Sequence, residues 1–257
     1  MDRKFRELAE RYRTARAEIR CRVEDADYAA VEARLPYLRE MARIGNRSVS
    51  LYDANRDRFI LKEDRHVELL GYDPSEVDVN DVTRYHEMVH PDDRAALYDS
   101  ELRMRDYVRA QPPERKKDFK LVYDYRVRRK DGDYARFLHQ MMVFELDGDG
   151  NAWLLLVLSD VLAERARDEP ARRLLVDART SRVCLFGEEL GVRSRLLSAR
   201  ETEVLGLLAE GMDSAEVADT LRVSVSTVNN HRQHILAKTR ARNLAQALNY
   251  ARCVGLV

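Results

Sequence analysis

The sequence predicts an α+β chain in two parts: five short strands interleaved with helices, then a separate bundle of four short helices. Three observations predict it. Alternating apolar runs bounded by turn residues fall between 48 and 161, capped helical stretches fill 198–254, and charge is unevenly shared between the two regions. The chain has 257 residues, and its 45 basic and 45 acidic side chains give a formal net charge of zero. From Arg222 onward, however, Arg222, Arg232, Lys238, Arg240, Arg242 and Arg252 meet no Asp or Glu, so this stretch carries +6 and the remainder −6. A basic segment that is also rich in Asn, Gln, Ser and Thr has the chemistry of a surface that reads phosphates and base edges.

The elements follow in order. Residues 3–22 read as a helix in which Phe5, Tyr12 and Ile19 lie seven apart, with Leu8 and Ala15 on a second seam. Fewer than three heptads make a weak coiled coil, so packing on the next domain is expected. A second helical stretch covers about 26–44, interrupted at Leu35-Pro36. SVSLYD and RFILKE are alternating runs joined by the turn-rich ANRD, a hairpin pattern. HVELLGYDPSEV begins as a short helix stopped by Gly71, and Pro91-Asp92-Asp93 opens a longer helix to about Val108. In FKLVYDYRV, Phe119, Leu121, Tyr123, Tyr125 and Val127 share one face. Asp131-Gly132 turns the chain into a return strand over Tyr134 to Leu146, and Asp147-Gly148-Asp149-Gly150 turns it again. The last strand, AWLLLVLSDV, is apolar on both faces and should lie centrally in its sheet.

This order of elements, with GYDPSEV and VHPDDR between the second and third strands, resembles a PAS domain over about 46–162. The resemblance implies a five-stranded antiparallel sheet cupping a cleft with helices. It also implies a sensor of an unknown small-molecule ligand, a haem or flavin site, or a dimerisation module. No Cys lies between 22 and 183, which excludes the flavin photochemistry of this family. His86 and His90 fall near the family's haem-ligating helix, but His90 is expected to hold the HPDD turn, and His66 and His139 are read as structural. DGDG lacks the later ligands of a calcium loop and reads as a turn. No cofactor and no metal site is expected.

The tail from Leu197 carries its own signals. Ser198 with Glu201, and Asp213 with Glu216, are capping boxes opening helices at about 199–210 and 214–221. Ser224 caps a third helix at about 225–239, and Asn243 caps a fourth that ends before Gly255. The middle two are joined only by Arg222-Val223, the geometry of a helix-turn-helix whose second helix enters the major groove. LSARETEVL, EGMDSAEVADTL and VSVSTVNNH, in this order, resemble the LuxR-type (GerE) helix-turn-helix domain over about 193–257. Two positions depart from that pattern: Asn229 stands where the family usually has Lys, and Leu244 stands near a frequent Arg.

Asn229, Asn230 and Gln233 are the base-edge candidates, since their amides can pair bidentately with adenine. Ser226, Thr227, Arg232, Lys238 and Arg240 are the phosphate candidates, which set register rather than sequence. His231 is balanced between groove contact and packing, and Glu203 is expected to tie helices together.

The expected organisation is N-terminal helices over 1–45, a sensor over 46–162, a linker over 163–192 and the DNA-binding domain over 193–257. LAERARDEPARR is helix-prone as far as Pro170, and LLVDARTSRVCLF reads as two short strands around a turn. No run approaches the roughly 18 apolar residues of a membrane span. The N-terminus lacks the apolar core of a signal peptide, and Cys21, Cys184 and Cys253 are too dispersed for a metal or disulfide framework. A cytoplasmic location is therefore expected, with double-stranded DNA as partner and a homodimer as the binding species. No HExxH, GxSxG or phosphate loop occurs, and no enzyme activity is expected.

Overall fold

The structure, a computed structural model, describes residues 3–45, 48–63, 66–73, 76, 81–162, 170–191 and 194–256. It divides into two compact units, residues 1–173 and 174–257.

Unit 1 contains α1 (Arg3–Ala17), α2 (Asp25–Glu32), α3 (Leu35–Gly45), β1 (Ser48–Asp53), β2 (Arg58–Glu63), α4 (His66–Leu69), α5 (Val82–Met88), α6 (Pro91–Arg109), β3 (Phe119–Arg128), β4 (Tyr134–Leu146) and β5 (Ala152–Val161). The strands run β2-β1-β5-β4-β3, with β1–β2, β1–β5, β4–β5 and β3–β4 pairs all antiparallel. The five expected strands are present. AWLLLVLSDV lies between β1 and β4, the position that its apolar character on both faces requires.

The period of two sorts the side chains of this sheet. Val49 and Leu51 of β1 and Leu154 of β5 join Val31, Leu35 and Ala42 in a core where α2 and α3 cover one face. The alternate residues, Ser50 and Tyr52 of β1 with Leu155 and Val157 of β5, line a cavity on the other face. On that side Tyr12 and Ala15 of α1 pack on Leu102 of α6. A slip of one residue in β1 would exchange the two sets, so the buried faces fix the register.

VHPDDR fastens α6 to the sheet. His90 Nδ1 accepts the Asp92 N–H at 3.3 Å and caps the helix. The Asp93 carboxylate accepts the Arg126 main-chain N–H at 2.9 Å and grips its guanidinium through two bonds of 2.8 Å. The Arg94 guanidinium donates to the carbonyls of Val89 and Glu87. A second buried network joins Asp124 of β3 to Arg136 of β4 at 2.7 Å and to Arg172 at 2.9 Å.

Several expectations are corrected. The first helix ends at Ala17 rather than near residue 22. The second helical stretch breaks at Ala33–Arg34, and Pro36 sits in the first turn of α3, where its missing N–H has no helical partner to lose. The helix α5 was not anticipated; Asp81 caps it by accepting from the N–H groups of Thr83 at 2.9 Å and Arg84 at 3.2 Å. DGDG, by contrast, is the turn expected: the Asp147 carboxylate accepts the N–H groups of Arg22, Asp149 and Asn151. The His66 side chain, parts of GYDPSEV and the helix-prone 163–169 lie outside the described residues.

From Leu174, unit 2 opens with a hairpin of β6 (Arg173–Asp177, its first residue belonging to unit 1) and β7 (Arg182–Leu185), the two short strands read in LLVDARTSRVCLF. Asp177 shapes its turn by accepting the N–H groups of Arg179 and Thr180. Four helices follow: α7 (Ala199–Ala209), α8 (Ser214–Leu221), α9 (Val225–Thr239) and α10 (Leu244–Val254).

Candidate nucleic-acid interface

Each helix of the bundle starts on a side-chain cap. Ser198 Oγ accepts the Glu201 N–H at 3.2 Å while Glu201 accepts the Ser198 N–H at 2.7 Å. Asp213 and Glu216 repeat the arrangement on α8. Ser224 accepts from Thr227 at 3.0 Å to open α9, and Asn243 accepts from Gln246 at 2.9 Å to open α10. Such caps are each worth about 1 kcal/mol, and here they set where every helix begins.

The turn between α8 and α9 is as short as the sequence implies. Arg222 ends α8 in the left-handed conformation, with φ 52°, and Ser224 already caps α9. Val217 and Ala218 are buried on α8, and Val228, Ile235 and Thr239 are buried on α9. At about 100° per residue, Ser226, Asn229, Asn230 and Gln233 fall within one arc roughly 100° wide, opposite that buried seam. All four are exposed. The three base-edge candidates are therefore brought together on one solvent-facing stripe, with the phosphate candidate Ser226 at its N-terminal end.

The other candidates flank the stripe. Thr227 Oγ1 is 2.8 Å from Ser224 Oγ in the capping turn. The half-buried Arg232 donates to Ser214 Oγ at 2.6 Å and so bridges α9 to the start of α8. Arg240, with φ 47°, ends α9, and its guanidinium donates to the Glu189 carbonyl. Lys238 donates to both oxygens of Glu201, at 2.6 and 2.9 Å, so its ammonium ties α9 to α7. His231 is half-buried. Glu203 pairs with Arg200 on its own helix at 2.8 Å, so the inter-helix tie expected of Glu203 is made by Glu201 instead. Burial raises the Glu201 pKa, but Lys238 and the Ser198 N–H outweigh it and hold the carboxyl below its usual range. Sequence reading found Glu201 as a capping residue and missed this second role. It also missed Arg200, which donates to the Leu221 carbonyl at 3.0 Å and steadies the end of α8.

Unit 1 holds a second candidate site. The cavity between the sheet and α1, α5 and α6 measures about 440 Å³, within the usual range of small-molecule pockets. His86, half of the haem question raised by the sequence, lines it and is fully buried; burial first, and the cations Arg16, Arg94 and Lys62 after it, lower its pKa to about 3. His139, read as structural, also lines the cavity and is 2.8 Å through Nδ1 from Ser159 Oγ.

Comparison with known proteins separates the same two regions. Residues 195–251 match the family described as bacterial regulatory proteins, luxR family, and residues 59–157 match the PAS fold. The oxygen regulatory protein NreC of Staphylococcus carnosus (strain TM300) is 42% identical over 57 residues, covering 22% of this chain and 26% of the relative. Its counterpart in Staphylococcus aureus (strain JH9) is 40% identical over the same length and shares. The chain thus spans about a quarter of the length of these curated relatives. Among solved structures, a Vibrio cholera VqmA–ligand–DNA complex is 21% identical, with 86% of this chain and 89% of that chain covered and a TM-score of 0.33. Drosophila melanogaster Cycle PAS-B with bound ethylene glycol is 21% identical, with 45% and 99% covered and a TM-score of 0.33. No described helix is long and apolar enough to cross a membrane. The chain carries a PAS fold followed by a segment of the luxR family of bacterial regulatory proteins.

Proposed function

We propose that this protein is a sequence-specific DNA-binding transcription regulator whose PAS unit senses a small ligand and controls the C-terminal reader. The observation that carries the reading is the exposed stripe Ser226–Asn229–Asn230–Gln233 on α9, set within a segment that holds six basic and no acidic residues. Amides on that stripe are suited to adenine edges in the major groove. Thr227, Arg232, Lys238 and Arg240 border it and, with Ser226 at its N-terminal end, are assigned to phosphates or to holding the reader in shape. The match to luxR-family regulatory proteins over the same residues supports this assignment. The working boundaries are 1–45, 46–162, 163–192 and 193–257, and the place of action is the cytoplasm.

A single reader this small makes few phosphate contacts, so useful affinity calls for a homodimer on a two-fold site. Unit 1 offers a surface for it. Tyr37, Met41 and Ile44 on α3 are 73%, 68% and 73% exposed at helical spacing, an apolar stripe on the side of α3 away from the sheet. Selection of bound duplexes from a random pool by the full chain tests the reading. The expected result is a dyad of two half-sites and a steep fall in affinity with salt. Failure to shift any duplex at low ionic strength would overturn it.

A further inference from the structure

The cavity in unit 1 has a chemistry specific enough to name what it takes. Eight aromatic rings line it, among them Tyr12, Tyr85, His86, Tyr123, Tyr125 and His139. Tyr125 of β3 and His139 of β4 stack as a parallel pair, at 4.3 Å with planes only 9° apart. Aromatic faces of this kind favour a planar partner in offset or edge contact.

Glu101 is the buried anion of the cavity. Its carboxylate accepts the Tyr12 hydroxyl on Oε2 and the Tyr123 hydroxyl, at 2.8 Å, on Oε1. A carboxylate offers about four lone-pair positions, so two phenols leave acceptor capacity on both oxygens. Burial raises the Glu101 pKa, while the two phenols and Arg16 oppose that rise.

Glu18 and six cations also line the cavity, so its lining is cationic overall and disfavours a cationic ligand; among those cations are Arg16 and Lys62. Those two cations are already engaged: Arg16 with Asp57 at 2.6 Å, and Lys62 over the rings of Phe59 at 4.7 Å and Tyr85 at 5.1 Å.

One wall comes from outside the PAS-fold match at 59–157. Tyr12, Ala15 and Arg16 of α1 line the cavity. The helix is held there by Tyr12 stacking on Tyr98 at 4.5 Å and by Arg105 donating to the Ala15 carbonyl at 2.6 Å.

We propose that this cavity binds a small, planar, non-cationic aromatic molecule whose N–H or O–H donates to Glu101, with α1 forming a wall of the site. The inference rests on the ligand-sensing part of the function proposed above. It predicts that ligand binding and the docking of α1 are linked.

The test uses the full chain and five probes of similar size: phenol, indole, cyclohexanol, benzoate and benzylammonium. Calorimetry should show phenol and indole binding at one site at least about tenfold more tightly than the other three. Glu101→Gln and Tyr125→Leu should each weaken phenol and indole by about tenfold. Phenol or indole should also slow tryptic cleavage at the exposed Arg11 and Arg13 of α1. The proposal is overturned if cyclohexanol binds as well as phenol, if either ion binds more tightly, or if no probe binds at millimolar concentration. Binding that leaves cleavage in α1 unchanged overturns the role of that helix. Duplex binding measured on the same samples keeps the two readings apart. Probe binding without DNA binding defeats the proposed regulator, and DNA binding without probe binding defeats only the ligand assignment.

Discussion

Replacing Lys238 by Met asks whether this residue holds the reader together or touches DNA. Its ammonium sits 2.6 and 2.9 Å from the two oxygens of Glu201, a carboxylate whose side chain is only 4% exposed, whereas Lys238 itself is 35% exposed. Met keeps the aliphatic stem and removes the charge. Glu201 is then left buried with Ser198, whose N–H donates to it at 2.7 Å, and His234, whose Nδ1 is 4.0 Å away, as its remaining charge-stabilising neighbours. Losing one partner of a fully buried pair costs about 3–5 kcal/mol. Exposure of the lysine screens part of that, so a loss of about 2 kcal/mol in unfolding free energy at pH 7 is expected. The pH dependence has a definite sign. In the parent, Glu201 titrates below its ordinary value, so its contribution is full above the carboxylate range and fades as pH falls through the folded pKa. In the variant the cation is gone and burial dominates, so the gap between the two proteins narrows as pH drops and Glu201 takes up a proton. Urea unfolding at pH 7 and in the acid range measures the gap. Duplex binding by the folded variant should keep its salt dependence. An unchanged stability, together with a salt slope reduced by about 0.9, would mean that Lys238 neutralises a phosphate and that the tie to Glu201 is incidental.

Asn230→Ala and Gln233→Ala should each relax preference at one base position by about 1–3 kcal/mol, read by competition among single-base variants of the selected site. Arg232→Ala should weaken all duplexes similarly, because its guanidinium is held by Ser214 at 2.6 Å beside the stripe and is assigned above to a phosphate rather than a base edge. His86, with a folded pKa of about 3 against 6.5 when free, takes up its proton only on unfolding in between, so it withdraws stability as pH falls from 6.5. His86→Phe should remove up to about 1.4 kcal/mol per pH unit of that acid sensitivity, measured by thermal unfolding across the range. Asp124→Asn should cost about 3 kcal/mol in urea unfolding, because Arg136 and Arg172, both nearly inaccessible, lose their shared counter-charge.

Local signals were the legible ones. The alternation in SVSLYD and RFILKE, the turn at Asp131-Gly132 and the caps at Ser198, Asp213, Ser224 and Asn243 each depend on residues within a few positions, and they place strands and helices closely. The stripe on α9 was readable for the same reason, since helical spacing and the buried seam are both short-range. What escaped were links between distant residues. Nothing near Glu201 announces Lys238, 37 positions away. Likewise the pairing of Asp93 with Arg126 and of Asp124 with Arg172 depends on how the sheet brings helices and strands together. In YDYR the acidic residue looks solvent-facing, yet Asp124 is 1% exposed. The cavity wall supplied by Tyr12 was hidden by its heptad spacing, which reads equally well as a packing seam.

The helix that carries the exposed polar stripe is bracketed by two arginines, Arg222 and Arg240, whose backbones sit at φ 52° and 47°. Glycine would occupy either position with less steric cost, so each arginine holds on the order of 1 kcal/mol of local strain. Glycine there would relax both hinges while stripping positive charge from the two ends of the stripe. Ease of folding and attraction to a polyanion thus pull in opposite directions at these two hinges, and the chain has settled on the side of charge.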